Sequence, residues 1–127
     1  MLFVCIENSC RSQMAEAVYN RHARNSTASS AGSKPAATIE PNTVEVLKEI
    51  GLDVSGKKPQ GYAPHQAAQY DYVVTMGCKE ACPITPKEKT IKWEIPDPKG
   101  KPNDEIRKTR DLIEQKVLQL IREVEKT

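Results

Sequence analysis

Near the start of the chain a cysteine, five residues and an arginine form the segment Cys5-Ile6-Glu7-Asn8-Ser9-Cys10-Arg11-Ser12. The apolar Leu2, Phe3 and Val4 before it read as a strand buried on both faces. From Ser12 to about Arg24 the residues are strong helix formers (Gln13, Met14, Ala15, Glu16, Ala17), and Asn25 is placed to end that helix. Strand, loop and helix N-terminus in this order make an anion site, because the loop lets several backbone N–H groups converge where the helix dipole is positive. A tetrahedral oxyanion fits such a nest, and Ile6, Glu7, Asn8, Ser9, Cys10, Arg11 and Ser12 are its candidate lining. Arg11 adds a planar fork for two oxygens. The same positive field favours the thiolate of Cys5, making it a nucleophile aimed at the anion's central atom. Ser12 is suited to donate a hydrogen bond to that thiolate, and Asn8 to take the left-handed backbone of a tight loop. Glu7, unexpected beside an anion, should turn its carboxylate outward. Alone, the C-x5-R spacing fits a buried strand cysteine followed by a surface arginine equally well; the order of the elements gives it chemical weight.

Asp97-Pro98 follows a predicted strand that contains Trp93. If Cys5 attacks from one side, an acid opposite must protonate the departing oxygen, and Asp97 is the candidate. Taken alone, Asp-Pro is a common turn dipeptide. Cys78-Lys79-Glu80-Ala81-Cys82 follows the strand that ends at Val74-Thr75, on the sheet edge where open α/β sheets bind ligands. In a helix, an i, i+4 pair would have Cα atoms about 6 Å apart, within disulfide reach. Reversible pairing, two unpaired buried thiols and zinc ligation are the alternatives. Zinc requires four ligands, and only His22 and His65, both distant in sequence, remain.

The elements that must position these groups alternate along the chain. Ser26–Ala31, bounded by Gly32, completes the strand pattern; Pro41–Ile50 reads as a helix capped by Gly51; Asp53–Pro64 reads as loop. Tyr70–Thr75 and Thr90–Ile95 are aromatic and β-branched and read as strands. Ile106, Ile113, Val117, Leu120, Ile121 and Val124 mark one face of a long helix that starts after Asn103 and runs nearly to Thr127. Strands alternating with helices argue for an α/β fold, a single three-layer domain over residues 1–127 with a parallel sheet covered on both sides. At 127 residues and 38% hydrophobic content there is one core and no room for a second catalytic domain. A net charge of +2 with interspersed signs implies no nucleic-acid partner. The longest apolar run, Met1 to Ile6, is too short for a membrane span or a signal-peptide core, so a cytoplasmic protein without membrane association is expected. Four cysteines in two close pairs then suggest reactive thiols or ligands rather than stapling disulfides.

Taken together, these marks resemble a known family, the arsenate reductases built on the low-molecular-weight protein tyrosine phosphatase scaffold. The resemblance spans nearly the whole chain: Cys-x-x-Asn-Ser-Cys-Arg-Ser-Gln-Met-Ala-Glu from Cys5 to Glu16, Ser-Ala-Gly from Ser30 to Gly32, Val-Val-Thr-Met from Val73 to Met76, Cys82-Pro83, Trp93 and Asp97-Pro98. It implies a four-stranded parallel sheet flanked by helices, Cys5 as nucleophile, Arg11 and the loop as oxyanion site, and Asp97 as general acid. It also implies a thiol cascade in the order Cys5, Cys78, Cys82, with thioredoxin or another thiol donor restoring the enzyme and no bound cofactor. Related thioredoxin-coupled enzymes separate the last two cysteines more widely than here. Some members bind potassium; Asn8, Glu16 and Ser30 match three of those ligands, while Gln60 stands where the fourth is an aspartate.

Two alternatives accompany the reductase reading. A low-molecular-weight tyrosine phosphatase would use the same Cys5, Arg11 and Asp97, but it wants flat apolar walls for a phosphotyrosine ring. Lys34 to Leu52, where this scaffold supplies one wall, contains no aromatic residue. A non-catalytic oxyanion or redox sensor would bind arsenate and form a disulfide without sustained release of arsenite.

Overall fold

The computed structural model describes residues 1–62, 69–76 and 87–125. Cys78, Cys82 and His65 lie outside the described residues. The elements run β1 (Leu2–Cys5), α1 (Arg11–His22), β2 (Ser29–Gly32), α2 (Pro41–Lys48), β3 (Val73–Met76), a short 3-10 turn (Lys87–Lys89), β4 (Thr90–Trp93) and α3 (Asn103–Val124). The four strands form one parallel sheet in the order β2-β1-β3-β4. Leu2 pairs with Ser29 on one side and Val73 on the other, so β1 is interior and its residues are all buried. This is the four-stranded parallel sheet with flanking helices that the sequence implied.

Because side chains alternate across a strand, the sheet has two different faces. Phe3, Cys5, Val74 and Met76 enter the larger core with Met14 and Val18 of α1, Val46 and Leu47 of α2, and Ile113 and Val117 of α3. Leu2, Val4, Ala31 and Val73 form a second cluster, against which Tyr62 and Tyr70 pack. A fully buried Val, Leu, Ile or Phe side chain contributes about 1.5–3 kcal/mol, against about 0–1 kcal/mol for an exposed ion pair. The core therefore holds the sheet, and surface charges are secondary.

Several boundaries differ from the sequence reading. α1 stops at His22 because Ala23 is extended and the N–H groups of Arg24 and Asn25 donate to the carboxylate of Glu125, at 3.0 and 2.8 Å. β2 begins only at Ser29, since the Ser26 hydroxyl is taken by Glu125 at 2.7 Å and the side chain of Asn20 brackets the backbone of Ala28. α2 ends at Lys48, before Ile50, and Gly51 follows at φ 82°, a left-handed turn natural to glycine. β3 starts at Val73 rather than Tyr70, and β4 ends at Trp93 rather than Ile95. Pro102, not Asn103, flanks the start of α3, and Asp104 and Glu105 in its first turn complement the helix dipole. The parallel arrangement brings the C-terminal ends of all four strands, including Cys5, Gly32 and Met76, to one edge.

Candidate active site

At that edge the chain leaves β1 and wraps from Cys5 to Cys10 before α1 begins. Asn8 sits at φ 53°, the left-handed conformation expected of it. Every carbonyl in the wrap accepts a hydrogen bond from the protein. Those of Cys5, Ile6, Glu7 and Ser9 accept from the N–H groups of Ser33 (3.2 Å), Lys34 (2.7 Å), Ala36 (3.0 Å) and Glu40 (3.1 Å). The Asn8 carbonyl accepts from Gln13 Nε2 at 3.2 Å and that of Cys10 from Met14 N–H at 2.9 Å. Among the described residues the N–H groups of Glu7, Ser9 and Cys10 have no protein acceptor, nor do those opening α1. With the carbonyls so engaged, these donors make a nest for an anion. The wrap needs Gly32: a Cβ there would lie 2.5 Å from the Ile6 carbonyl oxygen, 2.8 Å from Asn8 N and 2.9 Å from the Glu7 carbonyl carbon.

Cys5 is 3% exposed, and its Sγ lies 2.9 Å from Ser12 Oγ and 3.3 Å from the Asn8 N–H. The direction of the Ser12 hydroxyl follows from its neighbours. The Gln60 backbone N–H donates to Asn8 Oδ1 at 2.8 Å, which fixes the Asn8 amide. Asn8 Nδ2 must then donate to Ser12 Oγ, at 2.7 Å, and the Ser12 hydrogen is left for Cys5 Sγ. Gln13 Nε2 supports the same Asn8 Oδ1 at 3.0 Å. Donation from Ser12 to Cys5, expected from the sequence, is thus enforced by a relay that begins in the segment before Gly61.

Arg11 is 4% exposed. Its Nη1 donates to the carbonyl of Met76, at the end of β3, and to that of Ile95 at 2.9 Å. One guanidinium nitrogen is therefore committed to the protein, leaving Nη2 and Nε for an oxyanion among the described residues. Nη2 lies 3.8 Å from Oδ2 of Asp97. Asp97 is half exposed, with Oδ1 accepting the Lys99 N–H at 3.0 Å. Cys5, Ile6, Glu7, Ser9, Cys10, Arg11, Asp97 and Lys99 line one cavity of about 90 Å³, a volume suited to a small tetrahedral ion. Burial pushes the Cys10 thiol up to about 12, with Cys5 and Asp97 adding to the rise and Thr43 and Arg11 opposing it. Cys10 is therefore a neutral thiol at physiological pH.

One expectation is corrected here. Glu7 does not simply face solvent: its carboxylate turns to Lys99 Nζ at 2.7 and 2.8 Å and lines the cavity. The residues matched to potassium ligands have protein partners. Glu16, 6% exposed, accepts from Ser30 Oγ at 3.0 Å and Lys57 Nζ at 2.7 Å, and Asn8 Oδ1 accepts from the Gln60 backbone N–H and Gln13 Nε2. The sequence reading missed Lys57, Lys99 and Gln13. The two lysines lie 41 and 92 residues from their partners, a separation that carries no spacing signal.

The fold and the loop define an α/β domain that presents a buried cysteine thiol inside an anion-binding nest. The chain belongs to the low molecular weight phosphotyrosine protein phosphatase family, which it matches over residues 1–127. It is 36% identical to arsenate reductase 2 of Staphylococcus haemolyticus over 115 residues, 87% of each chain. Its fold is similar to that of the arsenate reductase of Archaeoglobus fulgidus, at 34% identity and a TM-score of 0.82, covering 94% of this chain and 97% of the other. It is also similar to a thioredoxin-dependent arsenate reductase of Corynebacterium glutamicum, at 33% identity and a TM-score of 0.81, covering 98% of this chain and 60% of the other. Among the described residues, no helix is long and apolar enough to cross a membrane.

Proposed function

We propose that this protein reduces arsenate to arsenite, with Cys5 as nucleophile. The observation that carries the reading is the Cys5–Cys10 wrap, which lines a cavity with loop N–H groups that have no protein acceptor among the described residues, beside a thiol that receives a hydrogen bond from Ser12. Such a site favours attack by a thiolate on a tetrahedral oxyanion. The named activity of relatives with a third or more of their residues in common favours arsenate over a phosphate ester, as does the lack of aromatic residues from Lys34 to Leu52.

In the proposed sequence the Cys5 thiolate bonds to arsenic(V) and an arsenate oxygen departs as water, with Asp97 as proton donor. Cys78 then attacks Cys5 Sγ. The electron pair of the breaking sulfur–arsenic bond stays on arsenic, which leaves as arsenite, while the two sulfurs become a disulfide. Attack by Cys82 on Cys78 returns Cys5 as a thiol and leaves a Cys78–Cys82 disulfide, which an external dithiol of the thioredoxin type reduces. Two electrons per arsenate thus come from thiols. A cytoplasmic setting, where such donors are kept reduced, suits this cycle.

The test is arsenite production by the purified protein with thioredoxin, with glutaredoxin and glutathione, and with a plain dithiol in turn. Sustained turnover with at least one donor is expected. Hydrolysis of an aryl phosphate with no arsenite from any donor would establish the phosphatase reading instead. A single stoichiometric oxidation without turnover would establish the sensor.

A further inference from the structure

We propose that the Glu7–Lys99 ion pair is a selectivity gate at the rim of the oxyanion cavity, admitting a free tetrahedral oxyanion and excluding phosphate esters. The inference rests on the reductase reading and adds to it the means of discrimination. Glu7 comes from the anion loop and Lys99 from the segment that carries Asp97. Lys99 Nζ lies 2.7 and 2.8 Å from the two oxygens of Glu7, while its backbone N–H holds Asp97 at 3.0 Å. The cavity floor is buried, with Cys5 and Arg11 at 3% and 4% exposure, whereas the side chains of Glu7 and Lys99 are 33% and 48% exposed. The pair therefore stands at the mouth.

Geometry and electrostatics both bear on its role. In an in-line displacement the departing oxygen lies opposite Cys5 and takes its proton from Asp97. Any organic group on that oxygen must extend past Asp97 toward the rim, where the Lys99 and Glu7 side chains meet. An arsenate oxygen carries at most a hydrogen and needs no such passage. An unpaired carboxylate in an anion loop would also repel the ion the loop must bind. Lys99 cancels that charge and is itself held above its ordinary range by Glu7. Lining the mouth with a neutralised pair narrows it without costing the free anion its binding field.

The test is a double-mutant cycle of Glu7→Gln and Lys99→Met on the full chain, with Lys99→Arg retaining the pair. The measurements are kcat/KM for para-nitrophenyl phosphate and Ki for inorganic phosphate as its competitive inhibitor. Lys99→Met alone leaves Glu7 uncompensated, and Ki should rise about 5-fold, the scale of one rim ion pair. The double variant should return Ki to within about 2-fold of the starting protein and raise kcat/KM for the ester about 5- to 20-fold, while Lys99→Arg keeps the original selectivity. Additive effects on Ki, or no gain in ester turnover by the double variant, would overturn the gate. Should Lys99→Met not fold, Glu7→Gln alone must still raise ester turnover, and its failure to do so has the same meaning. The two readings fail separately. No arsenite from the starting protein with a gain in ester turnover removes the reductase and keeps the gate, while arsenite production with unmoved ester kinetics does the reverse.

Discussion

Cys5, the proposed nucleophile, depends on hydrogen bonds whose directions are fixed by backbone groups. Because Gln60 N–H can only donate, Asn8 presents its amide nitrogen to Ser12 and the Ser12 proton goes to Cys5. A hydrogen bond to a charged group contributes about 1.5–3 kcal/mol. Ser12→Ala is accordingly expected to lower kcat/KM about 10- to 100-fold for both arsenate and aryl phosphate, measured by steady-state kinetics; an unchanged value would make the relay structural only. Cys10 has a different consequence. Its thiol is held at about 12 in the fold against an ordinary 9.0. A folded value above the unfolded one stabilises the fold fully below about pH 9 and is lost as pH rises toward 12. Urea unfolding of the reduced protein between pH 8 and 11 should therefore show a steeper loss of stability than in Cys10→Ala, and parallel curves would contradict the assignment.

Among the elements, the junction of β2 with the anion loop leaves no room for a side chain at Gly32. Small residues at Ser29–Gly32 do little for core volume, and what they provide is closeness: Gly32 lets the Ile6–Asn8 backbone lie against the strand end. Gly32→Ala would place a methyl 2.5 Å from the Ile6 carbonyl oxygen, against backbone that cannot swing away as a side chain does. An overpacked site of this kind costs about 1–3 kcal/mol. The expected outcome is loss of oxyanion binding, read as a rise in phosphate Ki of 10-fold or more, larger than the accompanying change in Tm. A drop in Tm with Ki unaltered would place the strain in the sheet instead of the loop.

For the molecule as a whole, the fold gathers two separate parts of the chain, the anion loop and the Asp97–Lys99 segment, around one cavity. Arg11 fastens the arrangement, reaching from α1 to the carbonyls of Met76 and Ile95 and so tying the anion loop to both β3 and the acid-bearing segment. The Cys78-to-Cys82 segment follows that same end of β3. If these thiols resolve the arsenic adduct, Cys78→Ser and Cys82→Ser should both lose sustained arsenate reduction while hydrolysing a small aryl phosphate at near the original rate. Without Cys82 one arsenite is released and Cys5 remains bonded to Cys78; without Cys78 the cycle stops before release. Non-reducing peptide mapping after one turnover distinguishes the two. Full reduction by both variants would assign the resolving step to an external thiol.

The sequence by itself determined the element order, the parallel α/β class and the grouping of the candidate site residues. These are carried by local signals: an all-apolar β1, the helical periodicity of Ile106 to Val124, and Cys5, Asn8, Arg11 and Ser12 within eight consecutive positions, where chain connectivity already fixes their proximity. Element ends were less legible, because Glu125, about a hundred residues away, stops α1 and delays β2. Only the tertiary structure decided which charges meet. Lys57 with Glu16, Lys99 with Glu7, and the turn of the Glu7 carboxylate back to the cavity rim join segments distant in sequence. Such pairings depend on how the strands stack and where their connecting loops return. No periodicity records them, since one lysine in a loop looks like any other until the sheet has placed its partner within 3 Å.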